Sequence, residues 1–120
     1  MHKRLAFSFK YAVEGIYYAF RDNLNLKVHL IVGIIVISLA LILRINYLET
    51  VIISFLILFV MAAEMINTAI EEMVDLITTE HKQKAKIAKD VAAGMVLLSA
   101  VGAAIVGILI FTPYILKLFR

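Results

Sequence analysis

Long apolar runs separated by short polar segments dominate the chain, and they cover residues 28–43, 51–63 and 91–111. Only the third run has the roughly 20 residues that an α-helix needs to cross a bilayer alone. The first is long enough if it begins at residue 24, because the side chain of Lys27 can extend to the membrane surface. The second is long enough only if it continues through the polar positions that follow. The pattern therefore predicts membrane spans over about residues 24–43, 49–77 and 88–111.

A fourth helix is predicted before the first span, over about residues 2–21. Apolar residues recur there at helical spacing and charged residues occupy the other side, which is typical of an amphipathic helix on a membrane surface. The apolar positions are Leu5, Phe9, Ala12, Val13, Ile16 and Phe20. Two interpretations of its basic side chains stay open: they bind anionic lipid head groups, or they hold the phosphate of a ligand.

The composition favours a membrane protein of one domain. Hydrophobic residues make up 63% of the 120 positions, against about 45–50% in soluble domains. The alternative is a soluble bundle with three core helices, but too few polar residues remain to cover its outside. One proline and five glycines leave no stretch that resembles a linker. The predicted fold class is an all-α membrane protein, with one domain over residues 1–120.

The basic residues are distributed unevenly around the predicted spans. Nine of them lie before the first apolar run or between the second and third runs: Lys3, Arg4, Lys10, Arg21, Lys27, Lys82, Lys84, Lys86 and Lys89. Three lie on the other side, namely Arg44, Lys117 and Arg120. By the positive-inside rule, the N-terminus and the second loop face the cytoplasm. The polar end of the second span then lies on the side where ATP is available.

Four polar residues interrupt the second span at steps of three, four and four: Glu64, Asn67, Glu71 and Asp75. This spacing places them on one face of a helix. A carboxylate in a membrane segment is costly unless it meets a partner, water or an ion, so such a face indicates a functional site.

The chemistry that this face allows depends on the basic loop beside it. Carboxylate oxygens bind magnesium, lysines neutralise phosphate, and a spare carboxylate accepts a proton from a hydroxyl. The combination is typical of a site for a polyphosphate and its metal ion. In the alternative, a non-enzymatic membrane protein, the same side chains pair across subunits or form an ion or proton path. Cysteine is absent, which excludes thiolate chemistry.

Two blocks of sequence resemble a known family. The pattern E-x-x-N-T-A-I-E-x-x-V-D at residues 64–75, followed by A-K-D-x-A-A-G at residues 88–94, resembles the signature of the small bacterial integral-membrane lipid kinases, the diacylglycerol kinase and undecaprenol kinase family. The resemblance implies a homotrimer in the bacterial cytoplasmic membrane that uses MgATP to phosphorylate the primary hydroxyl of a lipid. The residues of both blocks are more similar to the Gram-positive-type branch of the family, which is associated with undecaprenol. Diacylglycerol remains the alternative substrate.

The resemblance also implies roles for individual residues. Glu64 would be the catalytic base, Asn67 would orient the site, and Glu71 would bind the metal ion on the ATP phosphates. Asp75 would have a structural or electrostatic role. The ATP contacts would come from Glu71 together with Arg4, Tyr11, Glu80, His81, Lys82, Lys89 and Asp90.

The chain departs from the family at Asn23. Residues 23–29 read N-x-N-x-K-x-H, whereas the family pattern begins with a glutamate that is a second metal ligand. An amide oxygen can coordinate magnesium but brings no charge. Asp22 is adjacent, yet on a regular helix it points about 100° away. We therefore predict either weaker metal binding through Asn23 or recruitment of Asp22.

Overall fold

Four helices make up the computed structural model, which describes the backbone of residues 2–119 and the side chains of residues 4–119. They are α1 (His2–Asp22), α2 (Leu24–Ile42), α3 (Tyr47–Ile77) and α4 (Gln83–Lys117). No strand occurs in residues 2–119, so the all-α prediction is confirmed. Arg120 and the side chain of Lys3, both counted for the orientation, lie outside the described residues.

The last three helices are each long and apolar enough to cross a membrane. α3 has 31 residues and α4 has 35. At about 1.5 Å per residue they are about 46 and 52 Å long, against a hydrocarbon layer of about 30 Å. Both helices therefore extend beyond the layer, and Pro113 does not end α4, which continues to Lys117.

Two asparagines fix where the first two spanning helices begin. Asn23 Oδ1 accepts a hydrogen bond from the backbone N–H of Leu26 at 3.1 Å. Asn46 Oδ1 accepts one from the N–H of Glu49 at 2.9 Å. Asparagine is among the best N-cap residues because it satisfies an N–H group that the helix cannot. α2 and α3 thus begin with the same kind of N-cap hydrogen bond, at opposite ends of the molecule.

α3 is the central helix and packs against both α2 and α4. A small apolar cluster of Ala40, Ile45, Ile53 and Phe111 lies at the end where α3 begins. At the same end, the Tyr114 hydroxyl donates to Glu49 Oε2 at 2.5 Å and accepts from the Asn46 N–H at 3.2 Å. This contact joins the end of α4 to the start of α3.

Most other apolar side chains of the spanning helices point outward. An open apolar groove of about 690 Å³ runs between α2, α3 and α4. Its lining includes Val32, Leu56, Ala103 and Gly107. Ala103 and Gly107, two small residues of α4 that are four positions apart, therefore face this groove.

α2 approaches Ile57 of α3 closely at Gly33, and we expect Gly33→Ala to destabilise the fold. A Cβ atom there would lie 2.7 Å from Ile57 Cγ2, and a β-branched side chain in a helix cannot easily turn away. Overpacking costs about 1–3 kcal/mol, more than the roughly 1 kcal/mol by which alanine favours a helix over glycine. The melting temperature in detergent should fall.

Gly102→Ala is the matched control, because a Cβ atom there meets nothing within 4 Å. It should leave the melting temperature unchanged or raise it. Adding Ile57→Leu to Gly33→Ala removes the Cγ2 atom and should recover part of the loss. Equal melting temperatures for the two alanine variants would contradict this prediction, because they would show that α2 and α3 accommodate the added methyl group without loss of stability.

Candidate active site

Polar side chains from three helices meet around a cavity of about 270 Å³, between the α1–α2 junction and α3. Its lining consists of Tyr18, Ala19, Asp22, Asn23, Leu24, Asn25, Glu64, Asn67, Thr68, Glu71 and Glu72. The last turn of α1 closes one side of the cavity, and the polar face of α3 forms the other. Five of the residues predicted from the sequence are therefore brought together.

Glu64 lies deepest in this group. It is 2% exposed and Asn67 is 5% exposed, and they are the buried polar residues of the described chain. The Asn23 amide donates to Glu64 Oε1 at 3.0 Å and to Thr68 Oγ1 at 2.6 Å. The Thr68 hydroxyl in turn donates to the backbone carbonyl of Glu64 at 3.0 Å. The Glu64 carboxylate is thus buried with a hydrogen-bond donor.

Asn67 and Glu71 form a second pair one turn further along α3. The Asn67 amide donates to Glu71 Oε1 at 3.0 Å. Its own oxygen, Oδ1, is buried and has no hydrogen-bond partner among the described residues. A buried oxygen without a donor is uncommon, and here it belongs to a residue that lines the cavity.

The position of these residues along α3 sets their depth in the membrane. About 20 residues cross the hydrocarbon layer, so a layer counted from Tyr47, the first residue of α3, would end near Ile66. On that count Glu64 would lie just inside the layer, and Glu71 and Asp75 would lie beyond it. A cavity at such an edge would be open to a membrane-embedded group and to a water-soluble one.

Asp22 lines the cavity but is already paired. Arg21 Nη2 lies 3.0 Å from Asp22 Oδ2. The hydrogen bond from the Arg21 guanidinium holds the pKa of the Asp22 carboxyl below its usual range. A metal ion that recruited Asp22 would therefore compete with Arg21.

Asn23 has contacts that differ from those of a free metal ligand. Its amide nitrogen faces Glu64 and Thr68, and its oxygen accepts from the Leu26 N–H. Among the residues with described side chains, no three His, Asp or Glu groups are close enough together to share a metal ion. Metal binding by Asn23 or Asp22 stays a prediction.

The predicted nucleotide residues of the loop and α4 lie outside the lining of this cavity. Lys89 Nζ lies 2.6 Å from Asp75 Oδ1 and joins α4 to α3. Asp90 pairs with Lys86 at 2.7 Å, and Lys82 pairs with Glu80 at 3.3 Å. His81 is exposed in the same loop. These groups form a charged surface next to the α3 carboxylates.

Arg4 and Tyr11 are not brought to the cavity. Every residue from 4 to 18 is exposed, and α1 becomes buried only at Ala19, in its last turn. Tyr11 stacks on Phe7, with ring centroids 6.5 Å apart. The structure therefore attaches α1 to the other helices at its C-terminal end alone.

Tyr18, Thr68 and Glu72 also line the cavity, although none was among the predicted site residues. Thr68 follows Glu64 by four residues, a spacing that places both on one helix face. Tyr18 precedes Asp22 by four residues on α1 in the same way. Helical spacing could have identified both residues. Glu72 directly follows Glu71, and no spacing pattern in the sequence indicated that it lines the cavity.

Comparison with known proteins identifies the family. The family model described as prokaryotic diacylglycerol kinase matches residues 10–111. The chain belongs to this family. It is 40% identical to a diacylglycerol kinase of Synechocystis sp. over 95% of this chain, but it spans only 66% of that relative's length. It is 41% identical to the undecaprenol kinase of Bacillus subtilis, over 88% of this chain and 86% of the relative.

A diacylglycerol kinase of Haemophilus influenzae is 32% identical over 87% of this chain and 90% of its own length. Membership of the prokaryotic diacylglycerol kinase family confirms the resemblance read from the two sequence blocks. It also accounts for an all-helical chain with three apolar helices. The relatives are named for two different lipids, so the family alone does not determine the lipid.

Proposed function

We propose that the protein transfers the γ-phosphoryl group of ATP to the primary hydroxyl of a membrane lipid, undecaprenol or diacylglycerol, at the cytoplasmic membrane surface. The observation that carries this proposal is the position of Glu64, which is buried and lines a cavity together with Glu71. Phosphoryl transfer depends mainly on positioning and charge stabilisation. Such a reaction needs no covalent nucleophile, and the cavity lining contains neither cysteine nor serine.

Glu64 is the proposed general base. A lipid hydroxyl that arrives from the bilayer would meet the carboxylate at the depth where the hydrocarbon layer ends. Its proton would pass to Glu64 as the oxygen attacks the γ-phosphorus, while the bond from that phosphorus to the β,γ-bridging oxygen breaks and ADP leaves. Asn67 would orient the site through its hydrogen bond to Glu71.

The residues present fit a magnesium ion that is shared with a nucleotide. Glu71 offers a carboxylate, and the Asn67 amide that donates to it also carries an unpartnered oxygen, Oδ1, as a second hard ligand atom. Magnesium in such sites is held by one or two carboxylates plus substrate phosphates, so a larger set of acidic ligands is unnecessary. When bound, the ion would neutralise charge on the β- and γ-phosphates.

The nucleotide would lie along the charged surface beyond Glu71. Lys89 is held there by Asp75, and its ammonium group has further hydrogens to offer phosphate oxygens. Lys82, Glu80, His81 and Asp90 are the other proposed contacts on this side. Arg4 and Tyr11 of α1 would reach the nucleotide only if α1 moves or if a neighbouring copy supplies them.

The proposed assembly is a homotrimer in the bacterial cytoplasmic membrane, with the N-terminus in the cytoplasm. The basic residues of α1 and the second loop support this orientation. An assembly of copies would also cover the apolar groove beside the small residues of α4, which allow close packing of helices in lipid.

The purified protein in detergent should transfer label from γ-labelled ATP to an added lipid alcohol. Undecaprenol and diacylglycerol are offered separately and then in competition, and the expected preference is for undecaprenol. Absence of labelled lipid with both substrates, in a preparation shown to be folded by its melting transition, would contradict the proposal. Conductance of ions or protons without ATP would instead favour a membrane pathway.

A further inference from the structure

Asn23 links the start of α2 to Glu64, and its backbone N–H and both polar atoms of its side chain already have hydrogen-bond partners. Its backbone N–H donates to the Ala19 carbonyl at 3.1 Å. Its Oδ1 caps α2 through the Leu26 N–H. Its Nδ2 carries two hydrogens and meets two acceptors, on Glu64 and Thr68.

The orientation of the Asn23 amide follows from these partners. Leu26 is 0% exposed, and a buried N–H needs an acceptor, so the amide oxygen must face Leu26. The nitrogen then necessarily faces α3. There it meets a carboxylate oxygen and a hydroxyl that already donates to the Glu64 carbonyl. An oxygen at the same place would confront Glu64 Oε1 at about the same 3.0 Å, without a hydrogen between them.

We propose that Asn23 is a positioning residue for Glu64, through the hydrogen bond from its amide nitrogen, and that it does not serve as a metal ligand. The proposal rests on the proposed function for the role of Glu64. The bond fixes one carboxylate oxygen of Glu64 toward α2. The other oxygen is thereby left to meet the lipid hydroxyl.

Asn23→Asp keeps the oxygen that caps α2 but removes the nitrogen that donates to Glu64. Aspartate caps helices as well as asparagine, so α2 should still begin at the same place. The donor to Glu64 is lost, and a second carboxylate takes its place, where two like charges disfavour each other. We expect turnover at saturating substrates to fall about tenfold or more, the scale of one hydrogen bond to a charged group. The KM values and the magnesium requirement should change much less.

Asn46→Asp is the matched control, because Asn46 Oδ1 caps α3 by accepting from the N–H three residues on, as Asn23 does for α2, and Asn46 lies at the other end of α3 from the site. It should keep the turnover of the unmodified protein. Asn23→Gly, which removes the donor at a small capping cost and adds no charge, should also lose turnover, and Asn46→Gly should not. Retained turnover in both Asn23 variants would overturn the proposal, as would equal losses at positions 23 and 46. A lowered magnesium requirement in Asn23→Asp would show a ligand role instead.

Infrared difference spectra test the link without turnover. The Glu64 carboxylate band is isolated by subtracting the spectrum of Glu64→Gln, once in the unmodified background and once with Asn23→Asp. The band should move when its hydrogen-bond donor is lost, and an unmoved band would overturn the proposal. This measurement also distinguishes failure of the proposed function from failure of the role of Asn23. Full activity in Glu64→Gln would exclude Glu64 as the base. The infrared band would still show whether Asn23 donates to Glu64.

Discussion

Glu64→Gln is expected to reduce lipid phosphorylation by at least about 10²-fold, the lower range for loss of a general base. Glutamine keeps the size of the side chain, and its carbonyl oxygen can still accept from Asn23, so the buried position should remain filled. Binding of ATP should be little affected, because Glu64 lies deeper than the proposed phosphate site. The measurement is the initial rate of label transfer at saturating lipid and ATP, together with the nucleotide Kd.

Glu49→Gln provides a matched control for this result. Glu49 lies on the same helix at its other end and makes a single side-chain contact of the same type, with the Tyr114 hydroxyl. It should retain turnover within about twofold, since Glu49 lies at the opposite end of α3 from the candidate site and does not line its cavity. Near-normal turnover in Glu64→Gln would assign the base to another carboxylate.

Glu71→Gln is expected to lower turnover about 10²-fold at a fixed, low magnesium concentration. A metal ion supplies several kcal/mol of charge stabilisation in such reactions, and each 1.36 kcal/mol is a factor of ten in rate. Because the variant keeps an oxygen but loses the charge, more magnesium should restore part of the rate. A titration of turnover against magnesium at saturating ATP measures this shift.

Glu64→Gln serves as the contrasting variant in that titration. Its remaining rate should depend on magnesium as in the unmodified protein, because its defect is in proton transfer. Direct binding of manganese in the presence of a non-hydrolysable ATP analogue gives a second measurement. An unchanged magnesium dependence and unchanged manganese binding in Glu71→Gln would exclude Glu71 as a ligand.

The sequence predicted the helices well because their signals are local. Apolar length identified the three long helices, and the three-and-four spacing placed Glu64, Asn67 and Glu71 on one face. The structure then gave these residues the neighbours that spacing cannot supply. The contact between Asn23 and Glu64 joins residues 41 positions apart, and it depends on how α2 docks on α3.

The predicted nucleotide residues illustrate the opposite case. Lys89 and Asp90 belong to a sequence block that resembles the family signature, but here they contact Asp75 and Lys86. Charged groups on a surface pair with whatever neighbour lies within reach, and these exposed pairs are weak. Their final arrangement depends on a ligand, which a pattern of residues along the chain does not specify.

The outward-facing apolar side chains make the surrounding amphiphile a structural component of this protein. Few of its large side chains are fully enclosed by other residues of the same chain, so acyl chains or detergent tails complete the contacts that a soluble domain would make internally. The free energy of unfolding is then shared between polypeptide and amphiphile. Melting temperatures of variants can be compared only in one detergent, at one ratio of detergent to protein.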